Sequence, residues 1–243
     1  MTTADKPASR EPLINAPLAP VLLAASIPLL YLLQTFLPDG GLGLAFRPAT
    51  LTQGGWWPGV LTSMGLHAGW SHALINAAFA LAFGPPVARL FPGLRGVMIF
   101  FAYYIVCGLV GTLGFGLMHP GGETPMVGAS GAVTGLMGGA IRLLGAPKGL
   151  KPLTDRRVLA TSAVILAVNL ATGLIGYTPG VESAGIAWEA HAFGYVAGLL
   201  LVGPLYRAFG GRTVETSPGI APGEAPAQPS GQPSGRLPGP WDA

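Results

Sequence analysis

Ser130 lies between Gly128 and Gly131 in the stretch PMVGASGAVTGLMGG (125–139), and no charged residue follows it until Arg142. A serine in such a run is either a small packing residue or a nucleophile. Its hydroxyl is a weak nucleophile at its own pKa and needs an adjacent base, which a neutral imidazole supplies near physiological pH. Four histidines are available: His67, His72, His119 and His191. Each alone reads more naturally as structural. His72 and Asn76, however, are spaced i, i+4 and share one face of a helix. Both can donate hydrogen bonds to the oxyanion that forms when a serine attacks an amide. The backbone N–H groups at the start of a helix carrying Ser130 are not consumed by that helix and add further donors.

Other chemistries fit less well. Glu189 is two residues before His191, a spacing that does not share a helix face, so it reads as an interfacial carboxylate and the serine chemistry as a Ser–His dyad. An HExxH pattern is absent, and His67 and His72 lack i, i+4 spacing, which argues against a metal hydrolase. The single cysteine, Cys107, offers neither a disulfide nor a thiolate metal framework. No metal or other cofactor is expected. His119, followed by Pro120, reads as a loop histidine.

The elements that must position these residues are membrane helices. Only 9% of the 243 residues are charged and half are hydrophobic, against roughly 25% charged in soluble domains. A bilayer core takes about 20 apolar residues of helix, and six segments approach that length: 18–37, 72–91, 97–118, 126–146, 158–177 and 184–205. Pro85-Pro86 should kink the second or end it early. Placing the N-terminus inside puts twelve Lys and Arg residues (Lys6, Arg10, Arg89, Arg95, Arg142, Lys148, Lys151, Arg156, Arg157, Arg207, Arg212, Arg236) on the inner side and only Arg47 outside. This bias predicts six spans with both termini cytoplasmic. Because the basic residues are scattered between apolar runs, the net charge of +3 does not describe a nucleic-acid surface.

The expected organisation is an all-α polytopic membrane protein. A flexible cytoplasmic segment (1–17) precedes a six-helix domain (18–209), and a Pro-, Gly- and Ser-rich disordered tail (210–243) follows it. The long connection 38–71, with Trp56, Trp57 and Trp70, suggests interfacial anchoring and a small fold of its own. In this topology Ser130, His72 and His191 share one depth just below the outer surface. Polar groups collected there suggest function. Gly131, Gly135 and Gly139 repeat every four residues, as do Ala190, Gly194 and Gly198; two such stripes in contact bring Ser130 and His191 together. Transport is disfavoured because the spans hold almost no ionisable residues, and Asn169 reads as an interhelical hydrogen-bonding residue.

Three motifs in this order resemble the rhomboid family of intramembrane serine proteases: HAGWSHALIN (67–76), Gly128-Ala-Ser-Gly131, and Ala190-His191 with Gly194 and Gly198. The resemblance covers about 20–209 and implies a six-transmembrane-helix rhomboid-like bundle. It implies that Ser130 is the nucleophile and His191 the general base. His72, Asn76 and the Ser130 N–H would then serve the oxyanion, Gly128 would shape the turn, and His67 would be structural. It further implies single-pass transmembrane protein substrates cut in or near their spans, with helix-breaking residues near the scissile bond. Helix five would move to admit them. A catalytically inactive member that binds membrane proteins is the alternative. The expected location is a bacterial plasma membrane, and the sequence does not specify an oligomeric state. Three positions depart from the family pattern. Thr134 replaces an aromatic that packs on the catalytic histidine, so that ring must be oriented otherwise. Pro58-Gly59 stands where a Trp-Arg pair is common, and Val87-Ala-Arg89 lacks the acid of Glu-x-Arg.

Overall fold

The computed structural model describes residues 16–146, 149–176 and 187–210. Its frame is six apolar helices: α1 (Leu18–Gln34), α2 (Trp70–Ala88), α3 (Gly93–Met118), α4 (Ser130–Ile141), α5 (Arg156–Ile175) and α6 (Trp188–Phe209). The described residues contain no strand, only an isolated antiparallel bridge between Phe46 and Met126. The fold is the expected all-α polytopic bundle. Helices α2, α3, α5 and α6 are long and apolar enough to cross a membrane, while α1 and α4 are shorter apolar helices. Large apolar side chains such as Leu22, Leu29, Val164 and Leu174 are exposed on α1 and α5, as suits a protein whose solvent is lipid. Leu136 and Val133 of α4, by contrast, are fully buried.

Helix α4 departs most from the expected span 126–146. It has 12 residues, about 18 Å of helix against a hydrocarbon core of about 30 Å. The preceding residues are held out of the helix by pairing: Met126 N–H donates to the Phe46 carbonyl at 2.8 Å and Gly128 N–H to the Ser63 carbonyl at 2.9 Å. Ser130 is therefore the first residue of α4 rather than a few residues into it. At the other end, Arg142 donates to the carbonyls of Lys151 (2.9 Å) and Leu199 (3.2 Å), tying the chain after α4 to α6.

Local chemistry sets the other limits. Asp155 caps α5, its carboxylate accepting from the N–H groups of Arg157 and Val158 at 2.9 and 3.1 Å. Gly176 ends the helix at φ 69°, a left-handed value that glycine adopts without penalty. Helix α2 runs through Pro85 and Pro86 and stops at Ala88, three residues short of Phe91. This is the early end expected of two prolines, which remove N–H donors from its last turn. The connection 38–69 does form its own small fold. Short helices form at Thr50–Gln53 and Gly59–Thr62; the first is tied by Ala49 N–H on the Gly122 carbonyl at 2.9 Å and the second by the Thr62 hydroxyl on the Leu44 carbonyl at 2.6 Å. The termini expected at 1–17 and 210–243 lie outside the described residues except for 16, 17 and 210. So do Lys6, Arg10, Lys148, Arg212 and Arg236 of the charge count, and the expected span ends at Tyr177 and Ala184.

Candidate active site

The two small-residue stripes meet. A Cβ on Gly194 would overlap the Gly131 carbonyl, and one on Gly198 the Gly135 carbonyl, so the backbones of α4 and α6 are in contact. Ala190 faces Gly131 and Gly111 of α3. The third α4 position differs from expectation. Gly139 faces the Tyr103 hydroxyl on α3, and Gly138 takes the place against α6 beside Tyr195 and Leu199. At the Ser130 end this approach sets Ser130 Oγ 2.8 Å from His191 Nε2. His191 Nδ1 is 3.0 Å from Asn169 Oδ1 on α5.

Helix α2 brings the remaining polar groups. His72 is its third residue and Asn76 follows one turn later, with the Asn76 amide donating to the His72 carbonyl at 2.9 Å. Nδ1 of His72 accepts from Ala68 N–H at 3.4 Å. The ring proton of the neutral tautomer therefore sits on Nε2, the nitrogen that lies against Gly128. Gly128 has φ 133°, and a Cβ there would lie 2.8 Å from His72 Cε1 and 3.0 Å from its Nε2. Gly128→Ala should therefore push the imidazole aside, and backbone strain of about 1–3 kcal/mol adds to the effect. The expected outcome is a fall in peptide-bond cleavage of roughly 10- to 100-fold, with Ser130 still reactive toward a small fluorophosphonate. Both are measured on the same preparation.

Ser130, His191, His72 and Asn76 line one cavity of about 540 Å³ that extends between α2 and α5. The end of the cavity at these four residues is polar. Ile75 and Phe79 of α2 and Val164 and Val168 of α5 make most of the remaining wall apolar. Such a chamber can hold an extended, apolar peptide segment with its carbonyl at Ser130.

A family model for the Rhomboid domain matches residues 53–208. The chain belongs to the rhomboid family. It is 29% identical over 149 residues to "RHOMBOID-like protein 5" of Arabidopsis thaliana, covering 58% of this chain and 42% of that one. It is 33% identical over 88 residues to "Putative rhomboid protease YdcA" of Bacillus subtilis (strain 168), covering 36% of this chain and 41% of that one. The chain thus spans about two fifths of the length of each of these curated relatives.

Each departure from the rhomboid pattern has a structural counterpart. The Thr134 hydroxyl lies 2.9 Å from the Gly131 carbonyl and 3.0 Å from that of His191, tying α4 to the backbone beneath the imidazole. The ring itself is held by Asn169. Val87 is fully buried, an environment in which a carboxylate would need a dedicated partner. Gly59 lies where a Cβ would come 2.8 Å from the Ala45 carbonyl, so this position packs closely within the loop fold.

Two of the remaining polar residues gain a partner. Glu189, read as an interfacial carboxylate, is in the first turn of α6 and buried, with Oε1 3.5 Å from Nε2 of His119. His119, read as a loop histidine, follows α3 directly, and its Nδ1 lies 3.1 Å from the Phe115 carbonyl. Together they clasp α3 to α6. Asn169 is the site residue that sequence reasoning placed only in general terms. An asparagine in an apolar helix signals an interhelical bond, yet its partner is 22 positions away.

His67 is structural in a specific sense. Gln34 of α1 clamps its peptide group, accepting from its N–H at 2.8 Å and donating to its carbonyl at 3.0 Å. The buried ring meets His72 edge to face, with centroids 5.1 Å apart. Burial, and next the proximity of His72, lowers the His67 pKa from 6.5 to about 3. The folded state thus holds a neutral ring that the unfolded chain protonates. The stabilisation is complete above pH 6.5 and is lost as pH falls toward about 3, at about 1.4 kcal/mol per unit. The melting temperature in detergent should drop between pH 7 and 4.5, and His67→Phe should flatten that dependence.

Proposed function

We propose that this chain is an intramembrane serine endopeptidase that cleaves single-pass membrane proteins in or near their transmembrane segments. The observation carrying this reading is the 2.8 Å contact between Ser130 Oγ and His191 Nε2, inside a cavity flanked by helices built for lipid. In this mechanism His191 accepts the Ser130 proton as Oγ attacks the scissile carbonyl, then delivers it to the departing amine. Water repeats the cycle on the acyl-enzyme. The oxyanion is received by His72 Nε2–H, by the Asn76 amide and by the Ser130 N–H at the start of α4, donors that strengthen in a water-poor site. The substrate enters the apolar part of the cavity as an extended strand, so residues that destabilise its helix favour cleavage. No cofactor takes part.

The basic residues Arg142, Lys151, Arg156, Arg157 and Arg207 lie at helix ends and connections, Arg142 following the end of α4 opposite Ser130 and Arg207 in the last turn of α6, opposite His191. We place them and both termini in the cytoplasm of a bacterial cell, with the dyad near the opposite face of the plasma membrane. The test is cleavage of a single-span substrate co-reconstituted in liposomes, with Ser130→Ala as the control. Cleavage by the parent alone supports the protease. Equal background in both, across several substrates and with the proteins folded, would replace it with a rhomboid-like membrane-protein binder.

A further inference from the structure

Asn169 reaches His191 from a different helix, and its hydrogen bonds fix the chemistry of the imidazole. The Asn169 Nδ2 donates to the Trp188 carbonyl at 2.8 Å. A carbonyl only accepts, so the amide nitrogen must face it, which turns Oδ1 toward His191 Nδ1 at 3.0 Å. Oδ1 in turn only accepts, so Nδ1 carries the proton. A neutral imidazole has one such proton, and Nε2 is left with a lone pair directed at Ser130 Oγ, 2.8 Å away. This is the tautomer a general base requires.

We propose that Asn169 is the positioning residue of the site: it selects the base-competent tautomer of His191 and makes that selection depend on α5 being seated against α6. The proposal rests on the protease reading for its consequence in turnover, although the tautomer itself does not. The dependence on α5 follows from how this helix is anchored. Its buried residues, Val158 and Ser162, lie in its first two turns, where the Ser162 hydroxyl meets the Tyr195 hydroxyl at 2.7 Å. Toward its other end α5 meets α6 through Asn169 and through Gly173, which lies against the Trp188 side chain. A displacement of that end removes the acceptor from Nδ1 and frees the ring to exchange tautomers. Because the amide is neutral, it orients the ring without burying a charge on an otherwise lipid-facing helix.

The test is nuclear magnetic resonance of ring-¹⁵N-labelled histidine in liposome-reconstituted protein, with the His191 signals assigned by loss in His191→Gln. The parent should show Nδ1 protonated and Nε2 bare. In Asn169→Leu the two tautomers should mix, kcat should fall about 10-fold with KM nearly unchanged, and Asn169→Asp, which keeps an acceptor at Oδ1, should restore the parent tautomer. A His191 that keeps its proton on Nδ1 in Asn169→Leu overturns the proposal, as does a mixed tautomer with unchanged kcat. Mixed tautomers in a protein whose parent also cleaves nothing uphold the positioning role and reject the protease reading.

Discussion

Ser130→Ala and His191→Ala should each reduce cleavage by about 10³-fold or more, and the double variant should be no slower than the worse single one. The reason lies in the shared proton. Ser130 Oγ gains nucleophilicity only as its proton passes to His191 Nε2 across 2.8 Å; without the hydroxyl the imidazole has nothing to activate, and without the imidazole the hydroxyl stays protonated. Residues that act as one unit lose their effect once. Groups contributing separately would multiply their losses. Substitution to alanine at Ser130 removes one oxygen from the start of α4 and should leave the fold intact, which circular dichroism and thermal melting would verify. The measurement is single-turnover cleavage of a single-span substrate in liposomes, so that product release does not mask the chemical step. Residual activity in Ser130→Ala near that of the parent would mean another nucleophile does the work. A double variant slower by the product of the two single losses would mean that Ser130 and His191 do not act as a pair.

How much of this site could be read from the sequence depends on the range of the interaction concerned. Local spacing carried the pairing of α4 with α6, since Gly131, Gly135, Gly194 and Gly198 repeat at the period of a helix face, and it carried His72 with Asn76. It did not carry the start of α4. Met126 is drawn out of the helix by Phe46, 80 positions earlier, and nothing near Met126 encodes that partner. The same limit applies to Gly139, whose assignment to the α6 face followed a strict repeat of four. A helix turns 3.6 residues per cycle, so the face drifts and Gly138 meets α6 instead. Asn169 shows a third case. Its type and apolar setting identified a hydrogen bond between helices, but only the crossing of α5 and α6 selects His191 rather than another acceptor or donor. Composition likewise predicted lipid as the solvent. The length of α4 could not follow from composition, because an enclosed helix and a spanning one are equally apolar.

Gly194→Val should abolish stable folding, and Gly194→Ala should already lower the melting temperature, because the obstacle at this position is backbone. Extra methyl groups in a packed core usually cost about 1–3 kcal/mol, with side chains moving to make room. At Gly194 a Cβ meets the carbonyl carbon and oxygen of Gly131, and a carbonyl inside a helix cannot rotate away without breaking its own hydrogen bonds. The helices must separate instead, and Gly198 against Gly135, one turn on, resists the same movement. Separation also moves His191 from Ser130, where a displacement of about 1 Å can cost about 10²-fold in rate. Gly69→Ala is the matched control: nothing lies within 4 Å of a Cβ there, so its melting temperature should be that of the parent. Thermal unfolding in detergent and the yield of folded protein after reconstitution measure the effect. If Gly194→Val melts with the parent, α4 and α6 do not approach this closely, and the route from glycine spacing to the Ser130–His191 contact fails with it. If it unfolds as expected while Gly194→Ala retains partial stability and loses proportionally more cleavage, then one backbone contact governs both the integrity of the bundle and the distance across which the proton must move.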